Sequence, residues 1–401
     1  MPAHVVVIGA GVAGTAAAWA AVRAGARVTV VHDRAGASAL YSGALDLLPW
    51  DRHEEPERRA ELEDVLLGEP LLQTFAEALG VFRLGRSLLA TREGVVRSAL
   101  GSDPALLELG ALAGKRIAVL DVERDDWDAA LIAKSLSASS FAERTGTSFV
   151  PVHVRMLRTG YERRIAAYDF ASFHDAPARL AVLAEALRAE RGVAEAWLSG
   201  PWLGLDPSSV RELRQDLAMP IGETTSKLGG VAGARFERAR DRLLQKIGAR
   251  ARTARVTGVS ARGEQWLVAL EPGDPKEPAE LEASGVVLAT GGVGAGGIRL
   301  TSDPENGRRG FELGYSAPVE LALDGELLTG FGSLLGPSLE GKSFGALERV
   351  GIAVASPGNL VAIGPEAGRV LAAGDCVAGR PRTALGAVQD GLHAGSAVAR
   401  D

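Results

Sequence analysis

The chain opens on an unbroken apolar run, Val5 to Ile8, that ends at a glycine. A strand buried on both faces of a parallel sheet reads this way, without alternation of polar and apolar positions. Helix-forming composition follows from Thr15 to Ala24, Gly25 can end that helix, and Arg27 to Val31 supplies a second strand. Far downstream, Val286 to Ala289 and Val370 to Ala372 repeat the pattern of apolar strand and glycine turn. Between about Leu66 and Ala239 this grammar weakens. DDWDAALIAKSLSAS and DAPARLAVLAEALRAE have the spacing of amphipathic helices, TSFVPVHVRML reads as a strand, and glycines and prolines cluster at SGPWLGLDP and MPIGETTSKLGG. EPGDPKEPAELEA is a polar, proline-containing hairpin or loop just before the strand at Val286. Near the end, Thr383 is placed to cap a helix from Ala384 to Ala399 with a small-residue face. The pattern predicts an α/β chain: a Rossmann-like domain from residues 1–65 and 240–401, interrupted by an inserted α+β cap or substrate domain at residues 66–239. No internal repeat is present.

Composition narrows the classes. Of 401 residues, 46% are hydrophobic and 23% charged, as in an ordinary globular protein, and the length suits two domains. A net charge of -6 and arginines scattered among acids give no reason to expect nucleic-acid binding. The single cysteine, Cys376, excludes an internal disulfide and a cysteine-ligated iron–sulfur cluster in this chain. It reads as a small buried residue rather than a redox thiol, since no second cysteine can resolve it. No metal-ligand constellation stands out. The start lacks the basic region and cleavage site of a signal peptide. No stretch approaches the ~20 apolar residues that span a bilayer.

The first turn carries the clearest chemistry. Gly9, Gly11 and Gly14 have GxGxxG spacing inside a strand–turn–helix–strand unit. Gly9 permits the tight turn, Gly11 lets backbone approach phosphate, and Gly14 allows close helix–strand packing. The helix start, at Val12 and Ala13, offers unpaired N–H groups to the anion. An acidic residue usually ends the second strand and holds the adenosine ribose. Here His32 occupies that position, and Asp33 comes one residue late, on the other face of a strand. His32, Asp33 or neither holds a ribose. Thr290, Gly291 and Gly292 follow the strand at Val286, and Gly374 and Asp375 follow the strand at Val370. With the N-terminal glycines these form the three-part signature of two-dinucleotide-fold flavoproteins, in which the aspartate meets ribityl hydroxyls or orders the pyrophosphate. The N-terminus of the Thr383–Ala384 helix is expected at the pyrimidine edge of a flavin, where its dipole favours negative charge. Arg380 and Arg382 are candidates for added positive charge there, against the reading of plain loop arginines.

The run ASALYSGALDLLP, Ala37 to Pro49, resembles a motif of the B-type subunits of anaerobic glycerol-3-phosphate dehydrogenase. Looser matches to that family lie at LLATREGVVRSAL, KRIAVLDVERDDWDAALIAKSL, GPWLGLDPSSVRELRQDLAMPIGETTSKLGGVAGARF and VVLATGGVGAGGI. The resemblance adds Ser42 and Gly43 to the cofactor candidates. It implies a flavin-bearing component of a respiratory complex that oxidises sn-glycerol 3-phosphate to dihydroxyacetone phosphate and passes electrons to quinone. The implied partners are a catalytic FAD subunit and an iron–sulfur subunit. The implied location is cytoplasmic, meeting the membrane only through a partner. Members of the family are usually assigned FMN, and a missing acid at position 32 fits FMN, with FAD as the alternative. One departure is GRPRTALGAVQDG, where the family tends to carry a glycine-rich run before its last helix.

Substrate oxidation in the chain itself needs a base and a cationic clamp for phosphate. His153, His174, Arg155 and Arg164 are the available types, but VHVRM reads as alternating strand residues, and SFHD as a helix start capped by Asp175. No catalytic residue is assigned, and electron relay is the economical mechanism. The rivals are a stand-alone FAD-dependent oxidoreductase of a small substrate and a cofactor-free structural subunit. A fumarate-reductase-like reading lacks its histidine and arginine constellation.

Overall fold

The computed structural model describes residues 2–46, 56–271, 278–302, 309–323, 326–328, 349–355, 370–380 and 382–399. The end of the ASALYSGALDLLP run and the middle of EPGDPKEPAELEA lie outside the described residues. Two compact units emerge, one from Met1–Ser38, Asp46–Phe75 and Arg240–Asp401, the other from Ala39–Leu45 and Ala76–Ala239.

The first unit is built on five parallel strands: β1 (His4–Ile8), β2 (Arg27–His32), β10 (Arg250–Thr253), β14 (Gly285–Leu288) and β20 (Val370–Ala372), in the order β10-β2-β1-β14-β20. Val5, Val6 and Val7 are all fully buried, so β1 has no solvent face. Burying each valine contributes on the order of 1.5–3 kcal/mol, which is why the run carries no polar residue. Helices α1 (Val12–Arg23) and α10 (Ala384–Val398) cover one face. They touch backbone to backbone: a Cβ on Gly391 or Gly395 would overlap the carbonyls of Ala13 or Ala17. The alanine and glycine excess of these helices is therefore a packing requirement. Helix α1 begins three residues earlier than its composition suggests.

On the other face lies an antiparallel sheet of β11 (Val256–Arg262), β12 (Gln265–Leu270) and β13 (Glu280–Ala283). Trp266, Val268 and Leu281 from it share a core with Val6, Ile8, Val286 and Leu288. A hairpin, β15 (Ile298–Ser302) with β16 (Arg309–Leu313), and a small sheet of β17 (Leu321–Leu323), β18 (Glu326–Leu327) and β19 (Gly351–Ile352) complete the strands. Helix α2 (Pro56–Leu67) belongs to this unit, and the chain passes between units within α3 (Pro70–Leu79) and α9 (Val231–Lys246).

The second unit combines two sheets. Strands β3 (Ala44–Leu45), β4 (Arg83–Ala90) and β5 (Val96–Ser102) are antiparallel. Strands β6 (Arg116–Asp121), β7 (Ser148–His153), β8 (Ala196–Ser199) and β9 (Ile221–Glu223) are parallel, in the order β7-β6-β8-β9. Helices α4 (Ala129–Ser137), α5 (Ser140–Thr145), α6 (Ala167–Phe173), α7 (Pro177–Ala189) and α8 (Pro207–Leu217) form the crossovers. The helices expected at DDWDAALIAKSLSAS and DAPARLAVLAEALRAE are α4, capped by Asp128 on the Leu131 N–H at 2.9 Å, and α7. The cap expected at Asp175 is corrected. Helix α6 ends at Phe173 with His174 as its C-cap, and Asp175 instead accepts from the Leu205 and Asp206 N–H groups at 2.7 and 2.9 Å. Fully buried Arg235 of α9 reaches Glu223 at 2.7 and 2.8 Å and Asp103 at 3.2 Å. Among the described residues no helix is long and apolar enough to cross a membrane.

Candidate dinucleotide site

Parallel registers set the strand ends side by side: Ile8 faces Leu288, and Leu288 faces Ala372. The turns that follow therefore emerge at one carboxyl edge, where open α/β sheets bind ligands. These turns also touch. A Cβ on Gly9, at φ +110°, would overlap the Ala289 carbonyl; one on Gly374 would stand 2.7 Å from Ala13 Cβ; one on Gly292 would stand 2.7 Å from Asp375 O. The structure thus brings Gly9, Gly11, Val12, Ala13 and Gly14 together with Thr290, Gly291, Gly292, Gly374 and Asp375. Thr383 and Ala384 join them through α10, whose Ala387 Cβ would lie 3.4 Å from a Cβ on Gly374. Ser42 and Gly43 lie in the second unit, where Ser42 O accepts from Ser226 N at 2.8 Å and Gly43 O from Asp103 N at 2.7 Å.

Gly11 decides whether this edge fits a dinucleotide. It is the N-cap of α1, with φ −69° and ψ −175°, a conformation open to any residue. Among the described residues only Ser38 Oγ, a side-chain atom at 3.3 Å, lies within 4 Å of where its Cβ would stand, so the protein's own backbone does not demand glycine. Close approach of a phosphate to the helix N-terminus does demand it. The Gly11 cap has no side chain, and Ser38 Oγ accepts the Val12 N–H at 2.8 Å in its place. Sequence reasoning missed Ser38. The available signal was the glycine cap itself, which needs a hydroxyl from elsewhere in the chain.

At the ribose end, β2 runs through His32, which is half-buried, and its carbonyl accepts from Ala254 N at 2.9 Å. The Asp33 carboxylate is paired at 3.0 Å with Arg34 Nε, a surface pair of the kind that contributes about 0–1 kcal/mol.

The turn after β14 carries two orphaned hydroxyls. Thr290 Oγ1 and Tyr315 Oη are both buried, and among the described residues neither has a hydrogen-bond partner. Thr290 lies close enough to influence the Tyr315 phenol, which burial pushes up from its usual range. A buried polar group left unpaired costs about 1–3 kcal/mol, so two together at a ligand-binding edge fit a site completed by its ligand. Beside them, the Cys376 thiol donates to Leu288 O at 3.0 Å, and burial pushes it up to about 11. It is a packed thiol, not a thiolate nucleophile.

Thr383 caps α10, accepting from the Gly386 N–H at 3.3 Å. Arg382 stands at this same edge, its guanidinium carbon 3.4 Å from where a Cβ on Gly292 would lie. Its guanidinium donates to the carbonyls of Asp375, Val377 (3.3 Å) and Val350 (2.7 Å), tying the β20 turn down. Arg380 is exposed, 3.9 Å from Asp390. In the second unit, His174 is buried with Nδ1 2.7 Å from Trp202 O, and burial lowers its pKa, so it is neutral at pH 7. His153 is exposed, 3.5 Å from Asp121, and Arg164 pairs with Asp125 at 3.1 Å on the surface. Arg155 is exposed beyond β7, in the alternation expected of VHVRM. These four do not assemble into a base and clamp.

Residues 4–66 match the family described as FAD binding domain. No curated protein matches. Among solved structures the chain is similar to BexE, of BE-7585A biosynthesis, at 14% identity over 100% of this chain and 62% of that one, with a TM-score of 0.36. OxyS, the anhydrotetracycline hydroxylase from Streptomyces rimosus, shows 13% identity, coverage of 100% and 62%, and a TM-score of 0.35. CabE, an aromatic hydroxylase from angucycline biosynthesis, shows 13% identity, coverage of 99% and 63%, and a TM-score of 0.35. The chain spans about three fifths of the length of these structures. The matched segment contains β1, α1 and β2, the unit around Gly11. It names FAD, and the preference for FMN drawn from position 32 finds no support. An α/β fold with a Rossmann-like unit whose first segment matches an FAD-binding family is the level at which fold, site and match agree.

Proposed function

We propose that the protein is an FAD-carrying subunit of a glycerol-3-phosphate dehydrogenase that hands electrons toward quinone, relaying them rather than oxidising substrate itself. The carrying observation is the carboxyl edge of the first unit, where Gly11, Thr290 and Gly374 come together under a segment that matches an FAD-binding family. The resemblance running from Ala37 to Ile298 supports the finer reading of substrate and partners. Bound FAD supplies reversible acceptance of one or two electrons. The chain's own part is positional. Gly11 and the first turn of α1 receive the pyrophosphate, Ser38 fixes that turn through Val12, and the capped end of α10 presents its N–H dipoles to the same edge. The neutral His174 and exposed His153 offer no base beside a phosphate clamp, which favours relay over substrate oxidation.

Steady-state assay of the pure chain with an artificial acceptor tests the relay. Yellow protein with little glycerol-3-phosphate turnover, and turnover gained on co-expression with an iron–sulfur partner, is expected. Full turnover by the chain alone would make it a stand-alone oxidoreductase. A colourless chain that takes up no flavin would make it a structural subunit.

A further inference from the structure

We propose that Tyr315 is a cofactor-contact residue, its hydroxyl and that of Thr290 reserved for the oxygen-rich tether of the bound dinucleotide. The proposal rests on the FAD reading above. Tyr315 follows β16 and is held from both sides. On one side the Gly314 N–H donates to Gly297 O at 3.1 Å, and Gly297 N in turn donates to Gly292 O at 3.2 Å. On the other, Ser316 N donates to Thr257 O at 3.0 Å and Ser316 O accepts from Val259 N at 2.7 Å. The backbone clamp fixes the ring against the turn that contains Thr290 and beside Cys376 of the β20 turn. A hydroxyl placed so firmly and left without a partner is not explained by packing, because phenylalanine fills the same space without burying an unpaired polar atom. Thr290 repeats the argument one contact away: valine would match its shape, and its Oγ1 is equally unpartnered. Both hydroxyls donate and accept. The complementary ligand therefore carries oxygens of both kinds close together, which the ribityl and pyrophosphate oxygens of a flavin dinucleotide do.

The two states of the protein give the test opposite signs. Without cofactor the Tyr315 hydroxyl is a buried group lacking a partner, so its removal relieves the protein; with cofactor it is a lost hydrogen bond. Full-length chain is stripped of flavin and titrated with FAD by fluorescence quenching, with thermal midpoints recorded before and after loading. Tyr315→Phe is expected to weaken FAD binding about tenfold while the stripped protein melts at the wild-type temperature or above it. Thr290→Val is expected to behave the same way. A Tyr315→Phe chain that binds FAD within about twofold of wild type, or melts lower when stripped, overturns the proposal and makes the hydroxyl structural, satisfied by water or by Thr290. Wild-type chain that fails to bind FAD at all overturns the FAD reading and this proposal with it. Wild-type binding with an unaffected variant overturns this proposal alone.

Discussion

Gly9 and Gly11 look alike in the GxGxxG spacing yet do different work. Gly9 stands at φ +110° with the Ala289 carbonyl where a side chain would go. Gly11 has ordinary backbone angles and only the Ser38 hydroxyl nearby. Gly9→Ala should therefore damage the fold itself, lowering the melting temperature of the flavin-free chain and its soluble yield. Gly11→Ala should leave the flavin-free melting temperature within a few degrees of wild type and weaken FAD more than about tenfold, because the new methyl occupies phosphate space. Equal loss of stability in both variants would mean that Gly11 serves packing. Ser38→Ala should cost about 1 kcal/mol of stability by uncapping Val12. The glycine spacing made the turn legible, but the division of labour was not, because it depends on Ala289 and Ser38, which reach these glycines only through the folded sheet and the loop after β2.

Helices α4 and α7 are readable because their apolar spacing, the Asp128 cap of α4 and the Pro177 start of α7 are local, while the role of Asp175 is not, because its partners, the N–H groups of Leu205 and Asp206, arrive from a loop 30 residues away in sequence. Strand β10 is equally hidden: three of its four residues are exposed, and an edge strand of the sequence RART shows no apolar run. The buried charges of the second unit follow the same logic of distant partners. Arg235→Met removes the guanidinium hydrogen-bonded to buried Glu223 and Asp103, and should cost about 3–5 kcal/mol in denaturant unfolding. His174 carries a pH signature. Burial holds its folded pKa below the ordinary 6.5, so the folded chain keeps it neutral while the unfolded chain takes up a proton below that pH. Its contribution is complete above 6.5 and is lost as pH falls from there toward the folded value. The urea midpoint of the wild type should fall as pH drops from about 7.5 to about 5.5, whereas His174→Gln, less stable at the upper end, should show a flatter profile. Parallel profiles would assign the acid sensitivity to other groups.

Across the whole molecule, two distant stretches of chain close one parallel sheet: β1 and β2 from the start meet β14 and β20 from the end, with β10 beside β2. Repetition of apolar strand and glycine turn makes that pairing visible in the sequence. The cofactor is less visible, because a single position, His32, cannot decide between FMN and FAD. A ribose-binding acid is worth about 1.5–3 kcal/mol, but a dinucleotide also gains from every phosphate contact at the α1 terminus, so its absence weakens FAD without selecting FMN. The match over residues 4–66 covers the segment that carries the adenosine-side strands β1 and β2. Acid-denatured wild-type protein should therefore release FAD, resolved from FMN by chromatography. His32→Glu, which restores a carboxylate at the end of β2, should tighten FAD about tenfold or more without changing which flavin is released. FMN alone in the wild-type extract, with FAD appearing only in His32→Glu, would show that position 32 does select the cofactor and that the carboxyl edge of this sheet has kept the phosphate cradle while losing the adenosine half.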